Sequence, residues 1–166
     1  LDAVRCVDFL RLQKGIDASR IGLIGRGFGA AQAVFVAAML PDSIKALVLD
    51  RAGFLWFQAW LEDAECDLAR ELNSLLGNVA PRKKSGLKKN LALLEPLNWS
   101  EDLAQPVLAA IGLEDEINPP RAAFGFFNHV RSDKAMEIYP TEDTDPGGQE
   151  QFKKSLQFLA ENLVKK

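Results

Sequence analysis

The segment from Arg20 to Leu40, RIGLIGRGFGAAQAVFVAAML, constrains the fold more than any other part of this sequence. A short apolar run leads into closely spaced glycines, and an almost entirely apolar stretch of helical length follows. A strand that turns through glycines into a buried helix is typical of α/β proteins. Two kinds of site use such a turn: the G-x-S-x-G bend that presents a nucleophilic serine, and the G-x-G-x-x-G/A turn that binds a dinucleotide.

The rest of the chain repeats this alternation. Apolar runs predict strands at 21–25, 44–50, 106–112 and 135–140. Helical patterns occupy the N-terminus and residues 30–40, 54–76, 119–130 and 152–164, and the basic stretch 77–90 predicts a solvated loop. We therefore predict an α/β fold with about four parallel strands flanked by helices. Ligands of such sheets bind beyond the carboxyl ends of the strands.

Composition indicates one packed domain spanning residues 1–166, because 48% of the residues are apolar. The net charge of −3 argues against a nucleic-acid partner. No apolar run approaches the roughly 20 residues of a spanning helix, so we expect no membrane partner. Cys6 and Cys66 are too few for a disulfide framework or a zinc site, and we expect two reduced, mostly buried thiols.

The sequence begins at Leu1, inside a helical pattern, and shows no signal-peptide arrangement. We therefore expect this sequence to be a fragment of a longer chain. The fragment would lack the N-terminal strands of the fold. Any targeting segment would lie upstream of Leu1, and the cytoplasm is the favoured compartment.

The glycine turn fits the dinucleotide pattern through Gly25, Gly27 and Ala30, directly after a strand. Asp50 ends the next strand about 20 residues later, where an acid that binds the ribose would lie. Backbone N–H groups would then approach the pyrophosphate of NAD or NADP at the helix N-terminus. On the turn alone, this alternative stays open.

Several separated segments resemble the acetyl xylan esterase and cephalosporin-C deacetylase family of α/β-hydrolases. In order they are DAVRCVDFL, IDASRIGLIGRGFGAAQA, IKALVLD, LNWSEDLAQPVLAAIGLEDEINPP, FFNHV and MEIYP. The most specific is GLEDEINPP, because in that family a GL-x-D-x-x-x-PP segment carries the acid of the catalytic triad. The resemblance runs from Leu1 to about Gly148 and implies the C-terminal part of an α/β-hydrolase fold.

The resemblance assigns the family's serine and histidine positions to residues without the required groups. Gly27 takes the serine position, between Gly25 and Gly29, which we expect to be small because the turn brings backbone close to them. Asp115 matches the triad acid. The histidine position falls near Thr144, in a loop that contains no histidine.

His129 is the one histidine of the sequence, and we expect it to be a packing or surface residue. One oxyanion donor would be the N–H of Phe28, and the second comes from an earlier loop of the fold, outside this sequence. The resemblance thus implies an esterase-like domain that is catalytically inactive, has a structural or binding role and uses neither cofactor nor metal. The alternative is a carbohydrate O-deacetylase, acting on acetylated carbohydrate, whose catalytic groups come from outside this sequence.

In such a partial fold, the strand at 21–25 would lack a neighbour on one side. It would be an edge strand with unpaired backbone groups. We expect a second copy, a separate chain or upstream sequence to cover it. We predict that the aromatic residues Trp56, Phe57 and Trp60 form core and interface rather than an acyl pocket. Six acidic residues could bind a hard cation, although solvated loops are favoured: Glu114, Asp115, Glu116, Glu142, Asp143 and Asp145.

Overall fold

A computed structural model describes residues 2–164 of the chain. The strands are β1 (Ile21–Arg26), β2 (Ile44–Asp50), β3 (Val107–Gly112) and β4 (Lys134–Tyr139). The helices are α1 (Asp2–Arg11), α2 (Phe28–Met39), α3 (Phe57–Asp63), α4 (Asp67–Gly77), α5 (Pro81–Leu93), α6 (Pro120–His129) and α7 (Gly148–Leu163), and a 3₁₀ helix covers Pro96–Asp102.

The four strands form one parallel sheet in the order β1-β2-β3-β4, which confirms the predicted α/β fold. Every residue of β3 is buried, as expected for a continuous apolar strand with helices on both faces. Two glycines of β1 show these faces. A Cβ at Gly22 would meet Leu159 of α7, and a Cβ at Gly25 would meet Ala33 of α2. Positions three residues apart in a strand point to opposite faces, so the sheet lies between α2 and α7.

Two of the predicted elements are wrong in detail. The basic stretch 77–90, predicted as a loop, is mostly helix α5. Pro81 is preorganised for the first helical turn, and lysine, leucine and arginine are good helix formers that outweigh Gly86. The helical region predicted at 54–76 is divided into α3 and α4 by Ala64, whose backbone is extended.

The two cysteines are free thiols, as expected, but their predicted burial is wrong. Cys6 lies on the exposed face of α1, and Cys66 is half-buried immediately before α4. Among the described residues, no helix combines the length and the apolar character that crossing a bilayer would need.

Strand β1 forms one edge of the sheet within residues 2–164. Its central residue Ile24 is 41% exposed, whereas the equivalent part of β2 is fully buried. The edge predicted for the 21–25 strand is therefore present in the described part of the chain.

Candidate functional site

The turn between β1 and α2 holds Gly27 in a backbone conformation that residues with side chains rarely adopt. Its φ is 55° and its ψ is −123°, and helix α2 begins at the next residue. The Gly27 N–H donates to the carbonyl oxygen of Arg51 at 3.0 Å, which ties the turn to the end of β2. A Cβ at Gly27 would meet nothing within 4 Å. The geometry is that of a strained nucleophile bend, with open space where a serine side chain would project.

Gly25 is the position where the turn is tightest. A Cβ there would lie 2.7 Å from Ala30 Cα, 2.8 Å from Ala33 Cβ and closer still to the Gly29 carbonyl oxygen. At Gly29 itself, a Cβ would meet nothing within 4 Å beyond the helix's own backbone. The close approach expected for both flanking glycines is therefore confined to Gly25.

Phe28 is the first residue of α2, so its N–H belongs to a helix end that lacks intrahelical acceptors. Among residues 2–164, this N–H donates to no backbone acceptor outside the helix. It remains free at the position that the sequence assigns to an oxyanion donor. The Phe28 ring is 60% exposed and meets Phe54 edge-on, with centroids 5.4 Å apart. Phe28 thus provides one hydrogen-bond donor and an aromatic wall beside the bend.

Asp115 follows β3 and is only 4% exposed. Its Oδ1 accepts the N–H groups of Ile117 at 2.9 Å and Asn118 at 2.8 Å. Its Oδ2 accepts the Asn118 side-chain Nδ2–H at 3.1 Å, and Arg51 Nε lies 3.8 Å from the same oxygen. The carboxylate at the triad-acid position is therefore held mainly by its own loop.

Asp115 and Thr144 line one open cleft of about 610 Å³ at the carboxyl ends of β3 and β4. The loop that carries Thr144 is fixed beside this cleft, because Glu114 donates its N–H to the Glu142 carbonyl oxygen at 3.1 Å. The positions assigned to the acid and the histidine thus face the same space. Among the described residues that line it, none is a histidine or a serine.

His129 lies away from this cleft. It is the last residue of α6, is exposed, and its Nδ1 lies 2.7 Å from the carbonyl oxygen of Gly125 in the same helix. Helix α6 begins at Pro120, close to Asp115, and its ten residues extend about 15 Å. His129 is therefore at the far end of the helix, as expected for a surface residue.

Asp50 ends β2 opposite Arg26 of β1, and its side chain is 7% exposed. Arg26 Nε lies 3.4 Å from Asp50 Oδ2, and the same guanidinium pairs with Asp145. Burial raises the pKa of Asp50 above the usual range of a carboxyl group, and the positive charge of Arg26 opposes that rise. A buried, ion-paired carboxylate is poorly placed to accept ribose hydroxyls. The geometry counts against the dinucleotide alternative through Gly25, Gly27 and Asp50.

The aromatic residues in and before α3 pack together, and one of them contacts the loop that carries Asp115. Trp60 is fully buried, and its Nε1–H donates to the carbonyl oxygen of Ile117 at 2.7 Å. Its ring packs against Phe54 and Phe57, with centroids 4.4 Å and 5.8 Å away. Trp56 and Phe57 are half-buried. Trp60 is therefore core, in agreement with the first half of the prediction, and the interface part stays a prediction.

Several of the acidic residues considered for a hard cation have other partners. Glu142 Oε2 accepts the Gly147 N–H at 2.5 Å, and Asp145 pairs with Arg26. Within residues 2–164, no three histidine, cysteine or acidic side chains come close enough together to hold a metal ion.

Three contacts that organise the site are missed by the sequence reasoning. They are the pair of Arg26 with Asp145, the approach of Arg51 to Asp115, and the bond from the Asn118 amide to Asp115. Arginine directly at the end of a strand is a signal for the first two. Asn118 lies inside GLEDEINPP, but the sequence does not indicate where its amide points.

The comparisons with known proteins agree with the α/β fold. The family model described as acetyl xylan esterase matches residues 1–162. The acetyl xylan esterase of Paenibacillus sp. R4 is 24% identical, with a TM-score of 0.87 over 98% of this chain. Acetyl xylan esterase 1 of Thermoanaerobacterium sp. JW/SL YS485 is 22% identical, with a TM-score of 0.84 over 99%.

A curated relative also matches over a shorter range. The alpha/beta hydrolase domain-containing protein WAV2 of Arabidopsis thaliana is 31% identical over 122 residues, which is 72% of this chain and 37% of that protein. The chain spans 52% of each of the two acetyl xylan esterase chains. The similarity therefore covers nearly all of this chain and about half of those esterases.

Proposed function

We propose that this chain, which belongs to the acetyl xylan esterase family of α/β-hydrolases, does not hydrolyse esters through a serine nucleophile and serves as a binding or structural domain. The observation that carries the proposal is Gly27, which occupies the nucleophile bend at φ 55° without a side chain. Serine hydrolysis needs a hydroxyl to attack, an imidazole to take its proton and an acid to orient the imidazole. Of these groups, this chain has Asp115 alone at the assigned positions.

Glycine adopts the backbone conformation of this bend with less strain than serine would. This supports a domain in which the bend has a structural role rather than a catalytic one. A residue with a Cβ at such a φ is strained by about 1–3 kcal/mol. Gly27→Ser is therefore expected to lower the free energy of unfolding, although the side chain would point into open space. It is also expected to restore no esterase activity, because no histidine occupies the position from which an imidazole would activate the hydroxyl.

The test measures p-nitrophenyl acetate hydrolysis and labelling by a serine-directed fluorophosphonate. The wild-type chain and Gly27→Ser are both expected to match the buffer rate and to remain unlabelled. The acetyl xylan esterase of Paenibacillus sp. R4 provides the positive control. Turnover by the wild-type chain above the buffer rate would overturn the proposal.

A second candidate is a carbohydrate O-deacetylase whose catalytic groups are completed by further sequence of the same protein or by a partner chain. The free Phe28 N–H and the open cleft between Asp115 and Thr144 favour it, since both would still serve an acyl substrate. A thermal-shift measurement with acetylated xylo-oligosaccharides tests ligand binding, because a ligand of the folded state raises the melting temperature. A shift with NAD or NADP instead would support the dinucleotide alternative.

We also propose that a further polypeptide segment covers the free edge of β1. The occupant is a segment equivalent to the part of the acetyl xylan esterases that this chain does not match. Three observations support it: β1 is an edge strand, Ile24 on it is 41% exposed, and this chain spans only 52% of those esterases. Exposed edge strands are templates for pairing with another chain.

Co-expression with the remaining part of the Paenibacillus sp. R4 esterase, followed by light scattering, tests this partner. A complex with one copy of each chain is expected, and Ile24→Lys is expected to weaken it at least tenfold because lysine blocks edge pairing. Ile138→Lys, on the opposite edge strand β4 and 46% exposed in the wild type, is the matched control that leaves binding unchanged. A wild-type chain that stays monomeric and alone, or that forms a homodimer, contradicts the proposed occupant.

A further inference from the structure

The loop after β3 satisfies its own buried carboxylate. Two backbone N–H groups, from Ile117 and Asn118, occupy Asp115 Oδ1 at 2.9 Å and 2.8 Å. The remaining oxygen, Oδ2, accepts the Asn118 side-chain amide at 3.1 Å. Asp115 and Asn118 are 4% and 7% exposed, so neither depends on solvent for these bonds.

Oδ2 is the oxygen that would remain for a catalytic imidazole, because Oδ1 already accepts two backbone N–H groups. In a triad, the acid accepts the imidazole N–H and so fixes the orientation of the ring and stabilises its protonated form. Here the Asn118 amide donates to that oxygen, and Nε of Arg51 lies 3.8 Å from the same oxygen. A side-chain amide donates a hydrogen bond but cannot take up a proton as imidazole does. Asp115 is therefore paired with a group that cannot serve as a base.

The absence of a side chain at Gly53 allows the Asn118 amide to reach this place. A Cβ at Gly53 would lie 2.7 Å from Asn118 Cγ and closer still to its Oδ1, so any larger residue would displace the amide. The same Cβ would lie 3.2 Å from Gly27 Cα, which places the amide beside the nucleophile bend. The Trp60 indole holds the loop backbone from the other side through Ile117.

We propose that Asn118 is a positioning residue that takes the place of the missing histidine as the partner of Asp115. This inference rests on the proposed loss of the serine route and adds a third change to it. Restoring serine and histidine alone would then leave Asp115 bound to Asn118. Three positions then differ from what a working triad requires: Gly27, Thr144 and Asn118.

The test compares two variants of the whole chain. One carries Gly27→Ser and Thr144→His, and the other adds Asn118→Leu, which keeps a branched side chain of similar size and removes both amide donors. The readout is the pKa of the introduced imidazole, measured by NMR. In the first variant the pKa is expected near 6.5, the ordinary value of histidine. In the second it is expected to rise by about one unit or more, because Asp115 becomes its partner.

Esterase turnover provides a second readout of the same pair. The variant with Asn118→Leu is expected to hydrolyse p-nitrophenyl acetate at least about tenfold faster than the variant without it. Asn73→Leu, added to the same double variant, is the matched control, because it also removes an amide that donates to a neighbouring oxygen. It is expected to change neither readout. The charged groups around the cleft are the same in all variants: Arg51, Glu114, Glu116 and Asp143.

An equal imidazole pKa with and without Asn118→Leu would overturn the inference. A further measurement needs no introduced serine or histidine. The Asn118 side-chain amide resonances are expected to shift when Asp115→Asn removes the carboxylate that accepts the amide hydrogen bond. Amide resonances that do not respond to Asp115→Asn would equally overturn the inference. Wild-type turnover tests the proposed function separately, so the two failures are distinguishable.

Discussion

Gly25→Ala is expected to lower the free energy of unfolding by about 3 kcal/mol, or to prevent folding altogether. The added Cβ would lie 2.7 Å from Ala30 Cα and 2.8 Å from Ala33 Cβ, and closer to the Gly29 carbonyl oxygen. Two of these three atoms are backbone, and the third is fixed on α2, so none can rotate away. The strand and the helix would have to separate at the bend, which also moves Gly27. Urea denaturation followed by circular dichroism measures the loss.

The matched control is Gly29→Ala, four residues further along and inside α2. A Cβ there meets nothing within 4 Å, and the residue already has helical geometry. Alanine is favoured over glycine within helices, so this substitution is expected to stabilise the chain by about 0.5–1 kcal/mol. The same chemical change thus has opposite signs at the two flanking glycines. Equal losses at both positions would show that the close approach at Gly25 does not govern the bend.

The sequence predicts β2 and β3 well because burial on both faces requires a nearly continuous run of apolar residues. The apolar run at 44–50 coincides with β2, and the runs at 106–112 and 135–140 match β3 and β4 within a residue at each end. Helix α5 is missed because its lysines and Gly86 resemble a loop when no apolar face is apparent. Helix formation there depends on the proline start and on residue propensity, which carry a weaker signal than apolar periodicity.

The bend is predictable for a different reason from the rest of the site. Glycine spacing after an apolar strand predicts a tight turn, and the structure has Gly25 near the end of β1 and Gly27 immediately before α2. The partners of Asp115 are set by three-dimensional placement instead. Arg51 lies more than sixty residues before Asp115, and the direction of the Asn118 amide depends on the room left at Gly53. Residue types can therefore suggest which side chains are missing, but not what has replaced them.

Trp60→Ala is expected to lower the free energy of unfolding by about 4 kcal/mol. The indole extends from α3 to the loop that carries Asp115 and is fully buried, so its removal leaves a large cavity. It also removes the only hydrogen bond described for the Ile117 carbonyl oxygen, from Nε1 at 2.7 Å. The loss is measured by urea denaturation.

The same substitution is expected to loosen the candidate site selectively. Because Trp60 holds the backbone of Ile117, hydrogen exchange of the Ile117 and Asn118 amides is expected to accelerate more than that of β2, which lies in the sheet interior. Trp99→Ala is the matched control. The Trp99 indole is half-exposed and packs against Phe35, and its Nε1–H donates to the Leu93 carbonyl oxygen at 3.4 Å. A smaller loss of stability and an unchanged Asp115 loop are expected for it. If both tryptophan variants loosen the loop equally, the support of Asp115 comes from the general core rather than from Trp60.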